Sequence, residues 1–65
     1  MAMSLAAARV NAGLSRKDVC DLLKIHPNTI ENYENYKTKP DIDRAKQLAE
    51  LYGCGLDDIR WSADK

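Results

Sequence analysis

A pair of short helical patterns near the middle of the chain, separated by a break of three or four residues, restricts the fold most strongly. Ser15 and Asp18 match a capping box with Asp in place of Glu, which predicts that a helix begins here and ends at Lys24. His26 at a predicted N-cap and Pro27 at the first helical position then begin the next helix. Each helix is expected to span about eight residues. Their inward positions are predicted to be Val19, Cys20, Leu22, Leu23, Ile30 and Tyr33.

Further helical patterns lie on both sides of this pair. Ser4 is predicted to cap a first helix of about nine residues that stops near Gly13. Asp41 is predicted to cap a fourth helix that continues to Gly53. No segment alternates long enough to predict a strand, so the chain is expected to be one all-α domain over residues 1–65. The apolar positions are Leu5, Ala8 and Ala12 in the first helix, Ile42, Ala45, Leu48, Ala49 and Tyr52 in the fourth, and Leu56, Ile59 and Trp61 in a last short turn.

Composition excludes several classes of protein. The chain has 65 residues, 45% of them hydrophobic, and ten basic side chains balance ten acidic ones. Cys20 and Cys54 are predicted to be free, buried thiols rather than a disulfide. The only histidine, His26, has no neighbours at metal-ligand spacing, and no catalytic motif is present. We therefore expect a cytoplasmic protein that is not an enzyme, has no cofactor or metal, and binds no membrane or small-molecule ligand.

Two charged residues interrupt the apolar pattern. Arg9 falls on the apolar stripe of the first helix, and Glu34 falls on the inward side of the third. Burying either charge alone would be unfavourable, so we predict that they form a structural ion pair between the two helices. The alternative is that both side chains turn outward as ordinary surface charges.

The spacing of the central pair is that of a helix-turn-helix, whose second helix can enter the major groove of DNA. Over residues 16–35 and beyond, the chain resembles the Cro and phage-repressor type of domain, the lambda repressor-like family. The resemblance is carried by Arg9, GLSRKDV at 13–19, IENYEN at 30–35, KTKP at 37–40 and LAELYGCGLDDI at 48–59. It implies a compact five-helix fold and a bacterial or phage-encoded, nucleoid-associated regulator of transcription. Lys24 and Tyr36 depart from the family, which usually has glycine at both positions.

The third helix supplies the candidate base-reading residues. With Ile30 and Glu34 turned inward, its N-terminal end and opposite face are predicted to present polar groups outward. Asparagine can bond adenine through N6 and N7, and proline or the methyl group of threonine can contact a thymine methyl group. The other interpretation is that these are ordinary solvated residues, although asparagine is an indifferent helix former. The predicted base-contacting residues are Pro27, Asn28, Thr29 and Asn32.

Positive and polar residues on either side of this face are candidates for phosphate contacts. They lie at the start of the second helix and in the loop after the third. Because the chain carries no net charge, we expect weak non-specific binding and a shallow dependence on salt. The predicted phosphate-contacting residues are Arg16, Lys17, Asn35, Lys37, Thr38 and Lys39.

Weak binding by one copy favours a homodimer on two half-sites of an operator in double-stranded DNA. Trp61 is a possible dimer contact, since a large aromatic near the chain end either covers the core or anchors an interface. The resemblance implies a prophage-type repressor. Two alternatives remain: the antitoxin of a toxin–antitoxin pair, and a protein-interaction module that keeps the fold but has lost DNA binding.

Overall fold

Four helices make up most of the computed structural model, which describes residues 2–62. Strand β1 (Met3–Ser4) leads into helix α1 (Leu5–Asn11), followed by α2 (Arg16–Leu23), α3 (Pro27–Glu34) and α4 (Ile42–Tyr52). A 3₁₀ turn (Leu56–Asp58) and strand β2 (Ile59–Arg60) follow α4. None of the helices in the part of the chain described is long and apolar enough to cross a membrane.

The helix starts follow the capping signals in the sequence. Ser4, Ser15 and Asp41 each accept a hydrogen bond from a backbone N–H of the first helical turn, and Ser15 and Asp18 form a complete capping box. His26 does the same through Nδ1, which accepts from the amide of Asn28 at 3.1 Å. These bonds satisfy amides that have no acceptor within the helix, so the predicted starts of all four helices are confirmed.

All four helices end at a residue in the left-handed region: Gly13, Lys24, Tyr36 and Gly53. In α1, α3 and α4 the amide of this residue donates to the carbonyl three positions earlier, and the next amide donates to the carbonyl five positions before it. This arrangement is the Schellman motif, which satisfies carbonyls at the helix end. In α2 the amide of Ile25 likewise donates to the carbonyl of Cys20, five positions before it. The unusual feature is that two of the four left-handed residues carry side chains.

The C-terminal segment corrects the prediction of a fifth helix. After Gly53 only three residues turn, and the amide of Gly55 donates to Oδ2 of Asp58 at 3.0 Å. The chain then becomes extended, and β2 pairs with β1 in parallel, with Met3 opposite Ile59. The prediction that no strand forms was therefore also wrong. Strands of two residues are too short to produce an alternating pattern in the sequence.

The core lies between α1, α2, α3, α4 and β2. Its largest fully buried side chains are Leu5, Val19, Ile30 and Leu48. Three residues predicted to face inward are instead exposed. Leu22 and Ile42 are 57% and 63% exposed, and Ala12 is exposed at the C-cap of α1. Leu22 is the next-to-last residue of α2 and Ile42 the first residue of α4, so both lie at helix ends and outside the core cluster.

Candidate nucleic-acid interface

The orientation of α3 is determined by two residues on its inner face. Ile30 is fully buried and Glu34 is 7% exposed. The opposite, N-terminal end of the helix carries Pro27 and Asn28, which are both exposed. Thr29 and Asn32 are half-buried, so only part of each side chain is open to solvent. The four predicted base-contacting residues therefore lie on one short helix, two of them exposed and two half-buried.

A buried carboxylate joins three helices beneath this surface. Glu34 Oε2 accepts from Arg9 Nε at 2.7 Å, and Oε1 accepts from Arg16 Nε at 2.9 Å. The Glu34 side chain is 1% exposed and the Arg9 side chain 14% exposed. Arg9 Nη1 also donates to the carbonyl of Leu14 at 2.9 Å, in the turn between α1 and α2. Because both carboxylate oxygens are bonded, the buried charge of Glu34 is compensated, and α1, α2 and α3 are held in one relative geometry.

Arg16 shows that the charged residues cannot be divided simply into structural residues and predicted DNA-contacting residues. The sequence predicts a phosphate contact there, but its Nε is bonded to Glu34. Its side chain remains 47% exposed, so the residue lies at the surface above the buried carboxylate. Sequence reasoning missed the second bond because Arg16 occupies the first position of α2, which looks like a solvent-exposed site.

The other predicted phosphate-contacting residues are all exposed. Lys17 pairs with Asp21 at 3.2 Å on the outer face of α2, and both side chains are mostly open to solvent. Because the pair is exposed it contributes little to stability, and the Asp21 carboxylate offsets the positive charge that Lys17 would offer to a phosphate. The remaining four residues form a polar loop directly after α3: Asn35, Lys37, Thr38 and Lys39.

Tyr36 connects this loop to the rest of the molecule. Its backbone φ is 61°, in the left-handed region, and its hydroxyl accepts the amide of Leu5 at 3.3 Å. The guanidinium carbon of Arg60 lies 5.8 Å from the centre of the Tyr36 ring, within reach of a cation–π contact. No role for Tyr36 or Arg60 could be assigned from the sequence, because these partners lie 31 and 24 positions from Tyr36 along the chain.

Trp61 borders an open groove rather than lying free in solvent. Its Nε1 donates to the carbonyl of Leu56 at 2.9 Å, and its ring packs against the core. The groove has a volume of about 400 Å³ and is mostly apolar. It runs between the loop after α3, the start of α4 and the C-terminal segment, and it is lined by Lys39, Pro40, Ile42, Ala45, Leu56, Asp57 and Trp61.

Two ionisable groups have shifted pKa values. Hydrogen bonds from the backbone amide and hydroxyl of Ser15 lower the pKa of Asp18 below 3.8. Burial, with a smaller contribution from the negative charge of Glu34, raises the pKa of Tyr52 to about 12. The Tyr52 hydroxyl is buried and has no hydrogen-bond partner among the residues described. It therefore belongs to the core beside the ion cluster and not to the DNA-facing surface.

Neither thiol belongs to a metal-binding cluster in the described part of the chain. Both thiols are free and Cys20 is buried, as predicted, whereas Cys54 is half-buried rather than buried. Between residues 2 and 62 no three His, Cys, Asp or Glu side chains are grouped so that they could hold a metal ion.

The arrangement of α2, the short turn and α3, with polar residues exposed on the second helix, defines a helix-turn-helix domain. A family model described as helix-turn-helix, of the Cro/C1 type, matches residues 5–59. The chain belongs to this family, as its resemblance to the Cro and phage-repressor domains predicts. The protein is therefore a DNA-binding regulator of transcription, and the family is not one of enzymes. Comparisons with curated proteins and with solved structures gave no match.

Proposed function

We propose that the protein is a sequence-specific repressor of prophage type, which binds an operator as a dimer and excludes RNA polymerase sterically. The observation that carries the proposal is the exposed N-terminal end of α3, where Pro27 and Asn28 are open to solvent and Asn32 is partly open. Asparagine amides at this end are suited to the paired donor and acceptor of adenine in the major groove. The methyl group of Thr29 is suited to a thymine.

Positioning of the helix on DNA depends on the residues around this end. Arg16 at the start of α2 reaches Glu34 at the end of α3, so the start of α2 lies beside the loop that follows α3. A duplex laid along α3 would therefore meet two sets of cations beside Glu34. The free nitrogens of Arg16 would lie on one side, and Lys37 and Lys39 would lie on the other. These groups, with Lys17, Asn35 and Thr38, are suited to phosphate oxygens.

The absence of net charge determines how such a protein binds. With few uncompensated cations, the counterion-release contribution to affinity is small, and so is the non-specific affinity. Specific affinity must then come from base contacts and from a second copy on a neighbouring half-site, one helical turn of DNA away. The same neutrality is the observation that favours the second candidate, a protein-interaction module that has lost DNA binding.

A two-step binding experiment separates these functions. Titration against random duplex at two salt concentrations should detect weak binding at low salt that decreases only moderately as salt rises. Selection of bound duplexes from a random pool should then enrich one sequence with two related half-sites. If no duplex binds even at low salt, the DNA-binding proposal is wrong, and a protein-interaction module that has lost DNA binding becomes the better explanation.

Single substitutions test the division between base and phosphate contacts. Asn32→Ala should lose roughly 1–3 kcal/mol of discrimination at one base pair of the selected site, because a bidentate contact is removed. Lys37→Ala should weaken binding to all sequences alike and make the salt dependence shallower. Lys46→Ala, an equal loss of charge on the exposed face of α4, is the matched control and should change affinity little. Identical behaviour of the Asn32 and Lys37 variants would contradict the division.

A further inference from the structure

The end of α3 has a side chain where its geometry favours glycine. Tyr36 occupies the left-handed position, its amide donates to Tyr33 O at 3.1 Å, and the amide of Lys37 donates to Asn32 O at 2.9 Å. Glycine adopts this conformation without steric conflict, whereas the Cβ of tyrosine is crowded against the following carbonyl. The hydrogen bonds of the turn are backbone bonds, so they do not require tyrosine. The tyrosine must therefore contribute through its side chain.

The side chain of Tyr36 makes contacts to both ends of the chain. Its hydroxyl accepts the amide of Leu5, the first residue of α1, which has no acceptor within its own helix. Its ring is covered by the guanidinium of Arg60 in β2. Since β2 pairs with β1 directly before α1, both contacts attach Tyr36 to one rigid corner of the fold. Lys24, the other left-handed residue with a side chain, is exposed at the surface.

We propose that Tyr36 is a positioning residue for DNA binding, which fixes the loop from Lys37 to Lys39 against the corner formed by α1 and β2. The inference rests on the proposed function, because the loop matters here as a set of phosphate contacts. The loop is exposed, and its side chains are long and rich in rotamers. Fixing its backbone before binding reduces the conformational entropy that is lost when the loop meets the duplex.

This role predicts that a substitution at Tyr36 can lower the affinity for DNA without an equal loss of folding stability. Tyr36→Gly keeps the left-handed turn and relieves its strain, while it removes both contacts to the corner. The two effects on folding oppose each other, so the melting temperature should stay within about 4 °C of wild type. The loop is no longer held, so affinity for the selected duplex should decrease about tenfold. Tyr36→Phe, which loses only the hydroxyl, should retain most of the affinity, with a loss of about threefold.

The experiment measures affinity for the selected duplex, melting temperature and the backbone amide spectrum of the same proteins. In both Tyr36 variants the amide resonance of Leu5 should shift upfield and exchange faster, because its acceptor is gone. The amide of Lys37 should stay protected in Tyr36→Gly, because its acceptor is a backbone carbonyl. Arg60→Gln should weaken binding by the same factor at every salt concentration, because Arg60 acts through the tyrosine ring.

The possible results distinguish the inference from the function on which it rests. If the wild-type protein binds no duplex at low salt, the proposed function fails and the positioning role fails with it. If wild type binds and Tyr36→Gly binds equally well, the function stands and the positioning role is overturned. A loss of affinity in Tyr36→Gly that is fully explained by unfolding also overturns it. A reduced salt dependence in Arg60→Gln would mean that Arg60 contacts phosphate itself, which contradicts its role as a cover for Tyr36.

Discussion

Tyr52 illustrates how a single polar atom in a small core affects stability. Its hydroxyl is buried without a partner in the described part of the chain, close enough to Glu34 to be influenced by that carboxylate. A buried polar group that makes no hydrogen bond loses its hydration without compensation. Burial of the aromatic ring stabilises the fold, and the unbonded hydroxyl offsets part of that stabilisation.

We therefore predict that Tyr52→Phe is neutral or slightly stabilising at pH 7 and removes a pH dependence at alkaline pH. The pKa of Tyr52 is about 12 in the folded protein, against 10.0 for an ordinary tyrosine. Above pH 10 the unfolded chain loses this proton while the folded one keeps it, so stability falls by about 1.4 kcal/mol per pH unit until the folded group also titrates. Urea denaturation of both proteins between pH 7 and 12 measures this. Parallel curves would contradict the prediction.

Glu34 shows which residue roles can be predicted from sequence. A charge at an inward position requires a partner, and Arg9 was the other charge on an apolar stripe, so the sequence indicated this pair. The two residues do lie in contact in the fold. A carboxylate has two oxygens, however, and nothing in the sequence indicated that Arg16 would bond the second. Which cation fills that place depends on how α2 crosses α3.

At the scale of elements, the helix starts were predictable and the helix ends were only partly so. Ser4, Ser15, His26 and Asp41 act on amides two or three positions away, so the signal is local. Glycine after α1 and α4 is an equally local stop signal. At Lys24 and Tyr36 the same left-handed turn forms without glycine, which propensity alone would not predict.

The two unusual helix ends lead to different expectations for stability. Lys24→Gly should raise the free energy of unfolding by about 1 kcal/mol, because it relieves the strain of a left-handed backbone conformation at an exposed residue. Tyr36→Gly is the matched control, since it relieves the same strain but removes contacts to Leu5 and Arg60. Urea denaturation of both variants tests this. Equal stabilisation would show that the Tyr36 contacts contribute nothing to folding.

At the scale of the whole molecule, we expect the groove beside Trp61 to form the interface of the proposed dimer. Ile42 projects from it at 63% exposed, and Lys39 and Asp57 lie among its lining residues. A two-fold interface must be self-complementary, and a second copy turned about such an axis could set Lys39 of one copy against Asp57 of the other. The apolar walls would then close over both Ile42 side chains.

This model of the dimer predicts that Ile42→Ala weakens cooperative binding to two half-sites by about tenfold and leaves binding to one half-site unchanged. Monomer stability should change little, because the side chain is mostly exposed. Val10→Ala is the matched control, since Val10 is 62% exposed outside the groove. Titration of duplexes with one and two half-sites measures the effect. Equal cooperativity in both variants would exclude this groove as the dimer surface.

Local signals along the chain predicted the all-α class, the four helices, their capped starts and the short break between α2 and α3. Those features arise from groups within a few residues of each other, and the same local pattern carried the resemblance to the family. Three features depend on how the helices pack. Arg16 shares Glu34 with Arg9, Tyr36 contacts Leu5 and Arg60, and β1 pairs with β2 where a fifth helix was expected. These contacts join residues distant in the chain, so they depend on how the helices pack and leave no periodic signal in the sequence.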